Sequence, residues 1–230
     1  MKEEHSKLVK ENFNKKYYKY DWLVRNLIPK YEEMHQQLID LLDFRKEAKL
    51  HILDLGIGTG QTALGILEKF PNVHIDGFDI SKKMIGLGKF RLKEYSSQVN
   101  FFNEDILKSI FKGEYDAVIS VLCIHHLNAK QKEEFFKKII KNIKVGGVFI
   151  IADIIKFDTE KETREKEEEW KNFLVKNLGE KEGNRWFNNY KEEDIPDSTS
   201  NQLNWLKEAG FNEVKCVWEY MNYAVFYGKA

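Results

Sequence analysis

Three glycines within five positions, Gly56, Gly58 and Gly60, directly follow the apolar run HILDL, whose fourth residue is Asp54. A turn bare of side chains between a strand and a helix lets a ligand approach the main chain closely and offers it a helix N-terminus. Several nucleotides would suit such a turn. The dinucleotide fingerprint G-x-G-x-x-G needs glycine at position 61, which is Gln61 here. NAD is thereby disfavoured, and a nicotinamide dehydrogenase with it. Asp54 beside the turn would repel a pyrophosphate but attract a sulfonium or ammonium group.

Two further acids fall at comparable places. Asp79, in HIDGFDIS, is suited to accept hydrogen bonds from both hydroxyls of a ribose. Asp105, in NFFNEDI, is suited to accept from an exocyclic amine such as that of adenine; Ile106 adds a backbone N–H, and Ile80 and Met84 add apolar faces for the ring. Any one Asp at a strand end is ordinary; three together with the glycine turn point to a cationic nucleoside. His125 and His126, in CIHHLN, are candidate bases for an acceptor that must lose a proton. They are not expected to bind metal, because adjacent side chains diverge and no third ligand is visible.

The elements that must position these residues alternate from about residue 47 onward. Short β-branched runs (KLHILDL, NVHIDGFDI, VNFFNEDI, YDAVISVL, GGVFIIADII) are separated by amphipathic segments, the pattern of a parallel sheet covered by helices. Asp54, Asp79 and Asp105 are expected to end the first three strands. Ser81 is a plausible N-cap, Asn128 and Gln131 have capping-box spacing, and Gly146-Gly147 is expected to end the helix that Asn128 opens. Residues 156 to about 193 break the alternation with charge and interleaved aromatics, read as a helix pair or lid. A helix capped at Ser198 or Ser200 and closed by Gly210 follows, then NEVKCVWEY and NYAVFYGKA as an antiparallel hairpin.

Composition narrows the field. Lys plus Arg and Asp plus Glu are both 37, which removes a general nucleic-acid footprint, although the first thirty residues lean basic. Cys123 and Cys216 lie far apart in apolar stretches, as buried free thiols do, and a reducing compartment fits. No secretory signal and no membrane-spanning run is expected, so the location is read as cytoplasmic.

The set LDLGIGTG, GFDIS with KKMI, NEDI, YDAVISVLCIHHL and GGVFII closely resembles the class I S-adenosylmethionine-dependent methyltransferases. That resemblance implies an α/β, Rossmann-like seven-stranded sheet in order 3-2-1-4-5-7-6, strand 7 antiparallel, with helices on both faces. It implies S-adenosyl-L-methionine as cofactor, with Gly56, Gly58, Gly60, Ser120 and Val121 along the methionine part, Asp79 on the ribose, and Asp105 with Ile106 on the adenine. More narrowly, NLIPKYEEMHQQLIDLL and LKEAGFNEVKCVWEYMNYAVFYGK look like the carboxy-S-adenosylmethionine synthases, which prepare a cofactor for wobble-uridine modification of tRNA. There a tyrosine matching Tyr31 contacts the cofactor, and an asparagine stands where this chain has Ser120. That family's arginine clamp for the extra carboxylate falls at about Phe187 here, with Arg185 the nearest arginine, so an ordinary methyltransferase is the preferred reading.

Residues 1–44 are then an N-terminal helical cap, 45–155 and 198–230 the methyltransferase core, and 156–197 a helical insertion over the substrate. Tyr17, Tyr18, Tyr20, Trp22, Trp170, Trp186 and Tyr190 are candidates to enclose the acceptor, and Asp21 is spaced to pair with Arg25. The expected partner is a small-molecule acceptor. The charge balance does not call for tRNA, a homodimer stays open, and a non-catalytic S-adenosylmethionine-binding protein is the alternative outside enzymology.

Overall fold

The computed structural model describes residues 20–230, with the Tyr20 side chain excluded, so Tyr17, Tyr18 and the Tyr20 ring lie outside the described residues. The main sheet contains β1 (Leu50–Leu55), β2 (Val73–Phe78), β3 (Val99–Phe102), β4 (Tyr115–Val121) and β5 (Ile143–Lys156), all parallel. A hairpin of β7 (Glu213–Tyr220) and β8 (Tyr223–Lys229) completes it, β8 running antiparallel to β5. The order is β3-β2-β1-β4-β5-β8-β7, and a two-residue β6 (Asp197–Ser198) pairs with the end of β5. Apart from β6, which no run of sequence announces, this is the expected topology.

Period-two alternation sends Ile52 to one face of β1 and Leu53 and Leu55 to the other, and each face buries its own cluster. The first face is covered by α1 (Tyr20–Leu27), α2 (Tyr31–Asp40) and α3 (Gln61–Lys69); the second by α5 (Ala129–Ile139) and α8 (Thr199–Ala209). The caps follow the local chemistry. The Ser81 hydroxyl accepts from the Met84 N–H to start α4 (Lys82–Arg91), Asn128 and Gln131 close a full capping box, and Ser198 rather than Ser200 caps α8, which Gly210 ends.

Four expected boundaries move. The helix opened by Asn128 stops at Ile139 and a single 3-10 turn, Ile140–Asn142, feeds β5 from Ile143, so the glycine pair lies inside the strand. β3 ends at Phe102, leaving Asp105 in the turn beyond it; β2 ends one residue before Asp79; and Asp54 is the penultimate residue of β1. The acids thus occupy the carboxyl edge of the sheet although none of them is the last residue of its strand. The insertion is two helices, α6 (Glu160–Leu178) and α7 (Glu180–Glu193), hinged at Gly179. No helix among the described residues is long and apolar enough to cross a membrane.

Candidate active site

The glycine turn is shaped by what crowds it. Gly56, Gly58 and Gly60 have φ of 81°, 55° and 76°, a region side chains rarely enter. A Cβ on Gly56 would lie 2.7 Å from both Cβ and Sγ of Cys123. Asp79 straps the turn to the next helix: its carboxylate accepts from the Gly58 N–H at 2.9 Å and the Ser81 N–H at 2.7 Å. An ionised carboxylate has about four lone-pair sites, so acceptor capacity for two hydroxyls remains.

Around this turn stand the other expected residues. Ile80 is half-buried and Met84 buried at the start of α4. Asp105 accepts from the Leu107 N–H at 3.0 Å, and the carbonyl of buried Ile106 accepts from Lys138. The Ser120 hydroxyl donates to the Leu55 carbonyl at 3.1 Å, so it faces into the sheet beside half-buried Val121. Tyr31 is buried at the start of α2; its ring meets His35 at 4.0 Å and Arg25 at 5.7 Å, which ties it to the N-terminal cap.

The electrostatics of the turn favour a cation. Asp54 is buried, and its Oδ2 has no hydrogen-bond partner among the described residues. Burial, then the charge of Asp79, raises its pKa to about 8. Burial also raises Asp79, to about 6, against the pull of the Ser81 and Gly58 N–H groups. The thiol of Cys123 is pushed well up by burial and then by the charges of Asp79, Asp153, Asp54 and Asp105. A bound positive charge would relieve the repulsion between Asp79 and Asp54.

The chain leaves β4 through Leu122, whose φ of 52° is strained for a side-chain-bearing residue by about 1–3 kcal/mol and turns it into the 3-10 turn Ile124–His126. Beyond Cys123, His125 is buried, its Nδ1 hydrogen-bonded to Asp153 and its N–H donating to the same carboxylate at 3.0 Å. Burial opposes the imidazolium, but the charges of Asp153 and Asp194 and the Asp153 hydrogen bond outweigh it and raise the His125 pKa. Asp194, at the end of α7, lies 3.6 Å from His125 Nε2 and 3.4 Å from His126 Nδ1. This corrects the expectation of divergent histidines without a third ligand: the rings lie 4.0 Å apart and offer different nitrogens to one carboxylate.

These three residues form the polar pole of a pocket of about 850 Å³, mouth included, whose other walls include Leu23, Leu27, Leu122, Trp170, Trp186 and Tyr190. The three aromatics of the insertion therefore line it as expected. Trp22 does not; it is 62% exposed, and its neighbours Leu23 and Val24 face inward instead. The insertion is clasped to α1 by the Trp170 indole, which donates to the Leu27 carbonyl at 2.7 Å. The Asp21 carboxylate does not pair with the Arg25 guanidinium, which turns to Glu32 and donates to Asp21 only at its backbone carbonyl; that carboxylate takes Arg91 and the Thr59 hydroxyl, fastening α1 to the glycine turn.

Four contributors thus escaped the sequence reading: Asp153, Asp194, Thr59 and Arg91. Asp153 left a signal, a lone acid inside the apolar run VFIIADII, where an ionisable group calls for a partner. Asp194 left none, being one more acid in KEED.

Residues 52–147 match the model of a methyltransferase domain. Over 216 residues the chain is 26% identical to the carboxy-S-adenosyl-L-methionine synthase of Campylobacter hominis, covering 91% of this chain and 90% of that one. It is 30% identical over 147 residues to the malonyl-[acyl-carrier protein] O-methyltransferase of Bacillus cytotoxicus, covering 63% of this chain and 49% of the relative. Among solved structures, human N-acetylserotonin methyltransferase in complex with SAM superposes with a TM-score of 0.60 at 18% identity, covering 85% of this chain and 51% of that one. The chain thus spans about half of that longer protein. Domain, relatives and fold agree: the chain carries a methyltransferase domain of the class I S-adenosylmethionine-dependent kind, an enzyme fold with S-adenosyl-L-methionine as its cofactor.

Proposed function

We propose that the chain transfers the methyl group of S-adenosylmethionine to a small acceptor held between α1, the 122–126 segment and the α6–α7 insertion. One observation carries this: Cys123 abuts Gly56 in the carboxylate-rich cradle, and two residues later His125 forms the polar pole of an otherwise largely apolar pocket. In this reading Asp54 faces the cationic part of the cofactor, Asp79 takes the ribose, and Asp105 with Ile106 takes the adenine between Ile80 and Met84. Gly56, Gly58, Gly60, Ser120 and Val121 flank the methionine part. The pocket seats the acceptor with its reacting atom toward His125 and His126. Transfer from a sulfonium is an in-line displacement with a good leaving group, so alignment supplies most of the acceleration.

Residues 20–44, the described part of the 1–44 segment, act as a cap and 156–197 as a lid on the core of 45–155 and 198–230, and the protein works in the cytoplasm, which its two free cysteines suit. Incubation with methyl-labelled S-adenosylmethionine and a fractionated small-molecule extract tests the proposal. Label should pass to a particular fraction; cofactor binding with transfer to none would favour a sensor.

Carboxy-cofactor synthesis is the second reading, because the relatives matched over nine-tenths of the chain carry that name. The pocket's chemistry favours methyl transfer over it. Among the described residues lining the pocket there is no Lys or Arg, while Glu193 and Asp194 are acidic. Phe187 packs near Trp170, and Arg185 is paired with Glu182. The described lining thus offers an added carboxylate no bidentate clamp. Incubation with S-adenosylmethionine and prephenate, followed by mass analysis for a carboxylated cofactor, separates the two.

A further inference from the structure

Two clusters among the described residues offer two imidazoles and a carboxylate to a common point: His51, His74 and Asp76 on β1 and β2, and His125, His126 and Asp194 at the pocket. They stand in different surroundings. Asp76 accepts from Asn100, from the Tyr115 hydroxyl at 3.1 Å, and lies 2.9 Å from His51 Nε2, so its oxygens are consumed by a network that joins four strands. That cluster reads as sheet architecture.

The pocket cluster has a different build. His125 Nδ1 is engaged by Asp153, which leaves Nε2 as the nitrogen directed at Asp194, the arrangement in which a carboxylate behind an imidazole orients it and raises its basicity as a ligand. The Ile195 N–H donates to the His125 carbonyl at 2.9 Å. Lys132, fully buried, bonds the Ile195 carbonyl and Asp197, each at 2.5 Å, so the segment that delivers Asp194 is anchored from both sides. The separations of 3.6 and 3.4 Å match the edge of a tetrahedron of N and O ligands about 2.0–2.2 Å from a central ion.

The geometry points to a divalent-metal site at His125, His126 and Asp194, facing the pocket that would seat an oxygen of the methyl acceptor. Two imidazoles and one carboxylate select a first-row transition ion such as Zn2+, Co2+, Mn2+ or Fe2+ over Mg2+ or Ca2+. The site deepens the methyltransferase reading and rests on it for its purpose. It specifies an acceptor with an ionisable oxygen, a hydroxyl or carboxyl. On coordination the O–H proton passes to water; the oxygen then bonds the methyl carbon as the carbon–sulfur bond breaks, and that electron pair stays on sulfur, leaving a neutral thioether. The histidines are then ligands and not bases.

The test uses the full chain stripped with chelator, without S-adenosylmethionine, titrated with Co2+ and followed by its visible d–d absorption. One equivalent should bind with a spectrum of four- or five-coordinate cobalt. Asp194→Asn, nearly isosteric, and His126→Ala should each weaken binding at least about tenfold, Asp153→Asn by roughly 10–100-fold, and His74→Ala should leave it unchanged. Binding that survives Asp194→Asn but disappears in His74→Ala would move the ion to the other cluster and overturn the proposal, as would no saturable binding at all. Circular dichroism of each variant excludes misfolding as the cause of a loss. Calorimetry of S-adenosylmethionine binding on the same samples keeps the readings apart: absent cofactor binding defeats the methyltransferase assignment while leaving the cobalt result intact.

Discussion

The glycine turn proposed to cradle the cofactor and the pocket proposed for the acceptor are joined by the 122–126 segment but are assembled from different materials. The cradle is short-range: a five-residue turn, the first residues of one helix and a carboxylate that bonds both, all resting on central strands with Leu53 and Leu55 fully buried beneath. The pocket is long-range. Leu23, His125, Trp170, Asp194 and Tyr223 come from five separate segments and meet only once the sheet has closed. Backbone geometry governs the first, and clasps between helices govern the second. Damage to the cradle should therefore act on fold and cofactor together, whereas damage to the pocket should fall on the acceptor alone.

Gly56→Ala is the severest way to break the cradle. Left-handed backbone costs a side chain about 1–2 kcal/mol, and crowding against Cys123 adds roughly 1–3 kcal/mol. The melting temperature should fall by about 5–15 °C, with cofactor binding lost. Gly146→Ala is the control, with a similar φ of 79° and nothing within 4 Å; it should cost only about 1–2 kcal/mol. Equal losses in the two variants would mean that backbone strain alone, and not contact with Cys123, makes the cradle fragile.

Asp79→Ala comes next. It removes the strap on Gly58 and Ser81 and the proposed ribose acceptor; at about 1.5–3 kcal/mol per hydrogen bond to a charged group, affinity for S-adenosylmethionine should drop by roughly 100-fold or more. Titration calorimetry reads this directly. An unchanged dissociation constant would remove Asp79 from the ribose. Trp170→Phe probes the other region: the aromatic wall stays while the bond to the Leu27 carbonyl goes, worth about 1 kcal/mol. The acceptor's kcat/KM should fall about fivefold while the cofactor's dissociation constant holds. Equal weakening of both would show the two regions to be one mechanical unit.

The same contrast explains what could be read in advance. Gly56, Gly58, Gly60 and Asp79 sit at fixed distances along one strand-turn-helix unit after another, so spacing alone places them, and the alternation of runs gives the parallel order. The β6 bridge and the meeting of His125 with Asp194 depend on where α6 and α7 fold back. No periodicity encodes that; Asp194 differs from the acids beside it only in being pulled in by Ile195 and Lys132. The premise that the two histidines diverge failed for the same reason, since adjacency in sequence says little about which nitrogen each ring presents once Leu122 has turned the chain.

The finest difference between the regions is a proton. The Asp54 pKa is about 8 in the folded protein and near 3.8 when exposed. Its contribution to stability is therefore complete below about pH 3.8 and lost as pH rises toward 8, so the cofactor-free cradle weakens on the alkaline side. A sulfonium beside Asp54 favours the carboxylate and pulls that pKa back down, and binding near pH 7 must then expel about one proton, mostly from Asp54 because Asp79, at about 6, is already largely ionised. Calorimetry in two buffers of different ionisation enthalpy counts it. Asp54→Asn should abolish the release, whereas His126→Ala in the pocket should leave it as it was. Identical binding heats in both buffers for the unaltered protein would mean that the cofactor's positive charge lies away from Asp54, and the cradle would then bind its ligand through the glycine backbone and Asp79 without that charge contact.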